Sequence, residues 1–199
     1  MKKALLMLMI LMVSGGCVFA ETPVQEATKV DVQKIDIQSE QVENVKLLNL
    51  VNTIGTLVID ERYDEAMEKC EEALKIYPNE PDLYYWRASI LSDKNKHLEA
   101  LADYEKAIAL SPKDLNYRLK RAMCMHDLGN RTGALDELDY IFTINSQYGS
   151  AYALRAVLRM EMGDYSGANS DLELANKYFD EEIKEFNKEL EETEAKTAE

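Results

Sequence analysis

Four alanines, Ala66, Ala100, Ala134 and Ala168, stand 34 residues apart. Ala88, Ala122 and Ala156 recur at the same interval, as do Ala73, Ala107 and Ala175, with Ile141 where that third series would place another alanine. Pro78 and Pro112 add a further pair in the same register. A period of this length restricts the chain to stacked copies of one small unit. A single copy cannot bury its own apolar face, so neighbours must supply the core.

Composition says what the unit is made of. With 199 residues the chain suffices for one domain or a short repeat array. Eight Gly and four Pro are too few for the frequent turns of a sandwich or barrel. Alanine, leucine, glutamate and lysine are abundant, which favours an all-α fold. The formal charge of −14 disfavours nucleic acid as a partner, because phosphate recognition needs a basic surface. The cysteines, Cys17, Cys70 and Cys124, are too few for a disulfide framework.

Residues 81–114 resemble the tetratricopeptide repeat, a helix–turn–helix unit. Tyr84, Ala88, Leu91, Ala100, Tyr104, Ala107 and Pro112 fall where that family places its alternating large and small packing residues. Looser copies cover 47–80, with Leu50, Leu57, Ala66, Cys70, Ala73 and Pro78; 115–148, with Ala122, Gly129 and Ala134; and 149–180, with Tyr152, Ala156, Gly163, Ala168 and Ala175. The first copy departs at Ile54, where a small residue is expected, and the third has Ser146 in place of the terminal proline. The resemblance implies an α-solenoid over 46–180, a right-handed superhelix of about four hairpins with a concave and a convex face.

Small residues at fixed points let paired helices approach closely. Gly129 and Gly163 stand where the turn between the helices needs a permissive backbone. A charged series runs in the same register. Arg87, Arg121 and Arg155 are each followed sixteen residues later by an acid, Asp103, Glu137 and Asp171, whereas the first copy has Thr53 and Lys69. This spacing predicts structural Arg–carboxylate pairs between the two helices of a repeat.

Both ends of the chain differ from the array. Lys2 and Lys3 precede an apolar run from Ala4 to Val13, which together with Ser14-Gly15-Gly16 reads as a signal peptide over 1–20. Two processing routes are open: cleavage after Ala20, or a relaxed lipobox that makes Cys17 a lipidated N-terminus. Either route places the protein outside the cytoplasm, in the periplasm, secreted or anchored in the envelope, and removes two lysines. Residues 21–45 are polar and lack helical periodicity, which predicts a largely disordered tether, with Val30, Val32, Ile35 and Ile37 as its only pattern. From Ala168 onward there is neither Gly nor Pro, and Leu172, Ala175, Phe179, Ile183, Phe186 and Leu190 form one stripe. That predicts a capping helix with an acidic extension over 181–199, or alternatively a homodimer through the same stripe.

Chemistry is sparse. No phosphate loop, Cys-x-x-Cys or His-Glu-x-x-His is present. The soft-ligand run Met123-Cys124-Met125-His126 points in different directions on a helix, so neither metal nor cofactor is expected. His97 is expected at a solvated turn, and Cys70 and Cys124 as buried free thiols. The resemblance implies a concave surface lined by Val51, Asn52, Tyr85, Trp86, Ser89 and Leu119, then Lys120, Met123, His126, Ala153, Leu154, Val157 and Met160. Only Asn52 and Lys120 suit a carboxylate clamp, so an apolar helix or extended peptide is the expected occupant, with Tyr85 and Trp86 as anchors. The expectation is a non-enzymatic adaptor of the bacterial envelope. The alternatives are a docking subunit of a solute-uptake system and a direct binder of a small apolar ligand or metal.

Overall fold

The computed structural model describes the backbone of residues 24–197 and the side chains of residues 41–189. The expected leader and Cys17 lie outside the described residues. Eight helices are described, joined by short turns and with no strand among the described residues: α1 (Val24–Ile59), α2 (Tyr63–Ile76), α3 (Pro81–Asp93), α4 (His97–Leu110), α5 (Leu115–Asp127), α6 (Arg131–Ile144), α7 (Gly149–Glu161) and α8 (Tyr165–Thr197). The chain divides into two units at Leu47/Leu48, within α1.

In the first unit the structure carries helix from Val24 onward, where composition predicts a disordered tether. Pro23 precedes the first helical residue, and neither Gly nor Pro occurs from Val24 until Gly55. Once the C-terminal part of α1 is helical, each added residue gains a hydrogen bond without a new nucleus, so propagation needs no apolar stripe. Val42 and Val45 are exposed, and Lys46 pairs with Glu43 one turn away at 3.3 Å.

In the second unit the helices form successive hairpins. From α3 onward each inner helix packs on the outer helix that follows it, and α3 also touches α5, as α5 touches α7. The alanines at 66, 100, 134 and 168, and those at 88, 122 and 156, have no exposed surface. Ala73, Ala107, Ile141 and Ala175 are almost as fully enclosed. Around them Leu83, Ile90, Tyr104, Leu138 and Leu158 fill the space that the alanines leave.

Each inner helix ends in the same way. Arg62, Lys96, Asn130 and Asp164 donate their backbone N–H groups to Leu57, Leu91, Met125 and Arg159 carbonyls at 2.8–2.9 Å. These are the six-to-one bonds of a Schellman cap, which requires a left-handed residue one position earlier. That residue is Gly129 at φ +78° and Gly163 at φ +82°, but Glu61 at φ +58° and Asn95 at φ +59° in the first two repeats. Glu61 is thus the strained member, since a Cβ is disfavoured there. Glu61→Gly is expected to raise stability by about 1 kcal/mol, read as a higher urea midpoint; an unchanged or lower midpoint would contradict the strain. Side-chain caps open α5 and α6: Asp114 accepts from the Asn116 N–H at 2.9 Å at the head of α5, and Asn130 from the Gly133 N–H at 3.1 Å at the head of α6.

The paired charges meet in space. Arg87 donates from Nε and Nη2 to both oxygens of Asp103 at 2.7 Å, and Arg155 makes the same fork on Asp171 at 2.9 and 2.8 Å. Arg121 bonds Glu137 through one nitrogen only. Two further arginines join these pairs. Arg118 reaches Glu137 at 3.2 Å and Arg159 reaches Asp171 at 2.7 Å, giving two Arg–carboxylate–Arg clusters in the last two hairpins.

The C-terminal helix does two things along its length. Phe179 lies on Gly149, where an added Cβ would come within 3.0 Å of its ring, and Tyr178 packs on Tyr152 at 5.6 Å. This part covers α7. Beyond it Ile183 and Phe186 are exposed, on a stretch that also carries Glu181, Glu182, Glu185 and Glu189. The side chain of Leu190 lies outside the described residues.

Candidate functional site

The inner row of helices (the second half of α1, then α3, α5 and α7) carries the residues expected to line a groove. The structure sorts them. Val51 and Leu119 are buried and belong to the core, and Leu154 packs on the cluster formed by Leu138, Ile141 and Leu158. Asn52, Met123, Val157 and Met160 are exposed, the last three at about 40%. Ser89, Lys120, His126 and Ala153 are half-buried. Met123 and Val157 hold the same repeat position, and Met160 lies one turn beyond Val157, so the three make one apolar strip across α5 and α7.

Trp86 has a dual place. Its six-membered ring lies on Gly55, where a Cβ would stand 2.8 Å from Cζ2. The small residue missing at Ile54 is therefore supplied one position later. Ile54 is fully buried, and the inner face of α1 opens at Gly55 to admit the indole. Tyr85 meets Trp86 edge-on at 5.0 Å, Tyr117 at 5.3 Å and Tyr104 at 6.2 Å, a continuous aromatic row.

One sequence-based expectation needs correction. His97 is not at a solvated turn: it opens α4, half-buried, with Nδ1 3.3 Å from Ser92 Oγ, 3.9 Å from Cys124 Sγ and 3.9 Å from an Asp127 carboxylate oxygen. The following repeat's inner helix covers it. Sequence reasoning misses this because it judges a turn residue by its own hairpin, whereas stacking brings in the next one. His126 likewise reaches across a junction, with Nε2 2.9 Å from a Glu161 oxygen; Arg131 donates to the other Glu161 oxygen at 2.9 Å. His126 and Arg131 together hold the Glu161 carboxyl below its ordinary range.

Cys70 and Cys124 are buried free thiols. Burial pushes the Cys70 thiol up to about 12 and raises that of Cys124, so neither is poised as a nucleophile. Among the described residues no group of three or more His, Cys, Asp or Glu is placed to hold a metal ion, and no helix is long and apolar enough to cross a membrane. A cleft of about 540 Å³ beside α4 is lined by Met67, Arg87, Lys94, Lys96, Glu99 and Asp103. Most of its charges are paired, Arg87 with Asp103, Lys94 with Asp64 and Lys96 with Glu99, while Glu71 also lines it.

Stacked helical hairpins closed by a long terminal helix define an α-solenoid, a class whose repeats present an extended surface. Residues 81–114 match the profile of the tetratricopeptide repeat. Among solved structures, a crystal structure of MamA superposes with a TM-score of 0.59 at 15% identity, over 84% of this chain and 99% of that one. A thermophilic TPR protein of Thermus thermophilus superposes with a TM-score of 0.62 at 23% identity, over 67% and 75%. No curated protein matches the sequence. One repeat of the chain thus matches the tetratricopeptide-repeat family, and the fold is that of the α-solenoids on which it superposes.

Proposed function

We propose that the protein is a non-enzymatic adaptor of the bacterial cell envelope, which holds a helical or extended apolar segment of another protein in the groove formed by its inner helices. The observation that carries this is the exposed strip of Met123, Val157 and Met160, continued by the aromatic row at Tyr85 and Trp86. Exposed methionines beside half-buried aromatic rings suit an apolar segment, because flexible thioethers adapt to it and rigid rings anchor it. The export reading rests on the lysine-led apolar N-terminus, with cleavage after Ala20 and lipidation at Cys17 as its two routes.

Leu119 is unsuitable for a test, since a charge there would attack the core. Met123→Asp combined with Val157→Asp changes only exposed positions. This pair is expected to abolish cross-linking to the partner in envelope extracts while far-ultraviolet circular dichroism stays unchanged. Recovery of the same partners at wild-type yield would sink the reading. Mass spectrometry of the native N-terminus, for acylated Cys17 or a free Glu21, tests the envelope assignment separately. Self-association through the exposed Ile183 and Phe186 of α8 would show as concentration-dependent mass in sedimentation.

A further inference from the structure

The terminal helix outruns the helix it covers. α7 begins at Gly149, Phe179 rests on that residue, and every side chain of α8 from Asp180 to Glu189 is exposed. The apolar face does not stop where the cover stops. Ile183 is 57% exposed and Phe186 64%, on the line that sets Ala175 and Phe179 against Gly149 upstream. From Asp180 to Thr197 the helix continues for roughly 27 Å, enough to lie along a partner helix over several turns.

The charges around this stripe are sorted. At about 100° per residue, the positions bordering the line through Ile183 and Phe186 are Asp180 and Asn187 on one side and Glu182 and Glu189 on the other. Lys184 and Lys188 stand on the far side of the helix, as does Lys177, whose ammonium lies 4.0 Å from Glu181. The border is therefore acidic and the cations face away from it. Two copies of the chain laid stripe to stripe, in either direction, would set acid against acid. A helix with a basic border meets the same surface with opposite charge on both flanks.

We propose that the overhang of α8 docks an amphipathic helix of another protein, apolar on one face and bordered by lysine or arginine. Ile183 and Phe186 make the apolar contact, and Asp180, Glu182 and Glu189 form the charged rim that selects the partner. This surface lies on a different helix from the strip of Met123, Val157 and Met160, so it stands or falls apart from the groove reading.

The test uses the full chain and three synthetic amphipathic helical peptides with one leucine stripe, bordered by lysine, glutamine or glutamate. Binding is read by anisotropy of a peptide label. The lysine-bordered peptide is expected to bind about tenfold tighter than the glutamine-bordered one, with the glutamate peptide weakest, and the preference should shrink as salt rises. Asp180→Asn with Glu182→Gln and Glu189→Gln should erase the preference while leaving the glutamine peptide's affinity in place. Ile183→Gln with Phe186→Gln changes exposed positions and keeps a good helix former at each, so circular dichroism should hold while the lysine peptide's affinity falls about tenfold. Equal binding of the lysine and glutamate peptides, or binding that survives Ile183→Gln with Phe186→Gln, overturns the proposal. So does binding lost instead in Met123→Asp with Val157→Asp, or failure to bind any of the three peptides. Concentration-dependent mass of the chain alone, abolished by Ile183→Gln with Phe186→Gln, would put a second copy on the stripe and overturn it too.

Discussion

Replacing Asp171 by alanine is expected to cost the array about 3–5 kcal/mol, among the largest single-site effects in the molecule. Its side chain is 2% exposed and accepts three hydrogen bonds, two from Arg155 and one from Arg159. Arg155 also lies over Phe142 at 4.4 Å and Tyr152 at 5.1 Å, so its guanidinium cannot swing into water without leaving both rings. Alanine leaves Arg155 half-buried without its carboxylate, and leaves Arg159 only the longer carboxylate contact to Asp164 at 3.8 Å. With a urea slope of about 2 kcal/mol/M, the midpoint should fall by about 2 M at unchanged slope. Asp103→Ala is the internal comparison. Arg87 is 28% exposed and is the only arginine on that carboxylate, so it can rehydrate, and the loss should be about 1–2 kcal/mol. Converting the whole cluster, Asp171→Leu with Arg155→Met and Arg159→Met, should recover much of the loss, because no unpaired charge remains. Equal losses at Asp171 and Asp103 would mean that the second arginine adds nothing.

The sixteen-residue spacing makes half of this cluster legible without coordinates. Arg155 and Asp171 share a register with Arg87 and Asp103. Arg159 shares it with no arginine: the corresponding position in the second hairpin is Leu91, and Arg118, the added arginine of the third hairpin, stands at another position. What recurs is visible as recurrence, and what is added once is not. The alanine series is legible for the same reason, since close helix approach recurs in every repeat and tolerates only a narrow range of side-chain sizes.

The groove is less legible because its exposure is settled between repeats. Leu119 and Met123 are one turn apart on α5, yet one is buried and the other open. Trp86 is held by Gly55, a residue 31 positions away in a different hairpin. One polar contact leaves half a signal: Asp82 and Asn116 are in register and each accepts from a tyrosine hydroxyl, of Tyr117 and Tyr148, but the two donors are not in register. A period search restricted to small residues passes over it.

Leu138→Ala is the second large effect, expected to cost about 2–5 kcal/mol, because the side chain is wholly enclosed and little around it can collapse. It sits with Leu119, Ala122, Ala134, Ile141, Ala151 and Leu158 in a cluster drawn from α5, α6 and α7, so the cavity lies at the joint between the third and fourth hairpins. A stacked array has only nearest-neighbour coupling, and its stability is roughly a sum over units and joints. A deep lesion in the third unit should therefore do more than lower the midpoint. Trp86 reports on the joint between the first and second hairpins through Gly55, whereas far-ultraviolet circular dichroism reports on every helix. In the wild type the two signals should move together, as in a cooperative chain. In Leu138→Ala the dichroism should begin to fall at lower urea than the tryptophan emission, because the C-terminal hairpins melt while the Trp86 joint persists. Coincident transitions in the variant would mean that coupling through α4 and α5 exceeds the loss, and that the four hairpins unfold as one unit in spite of their repetitive construction.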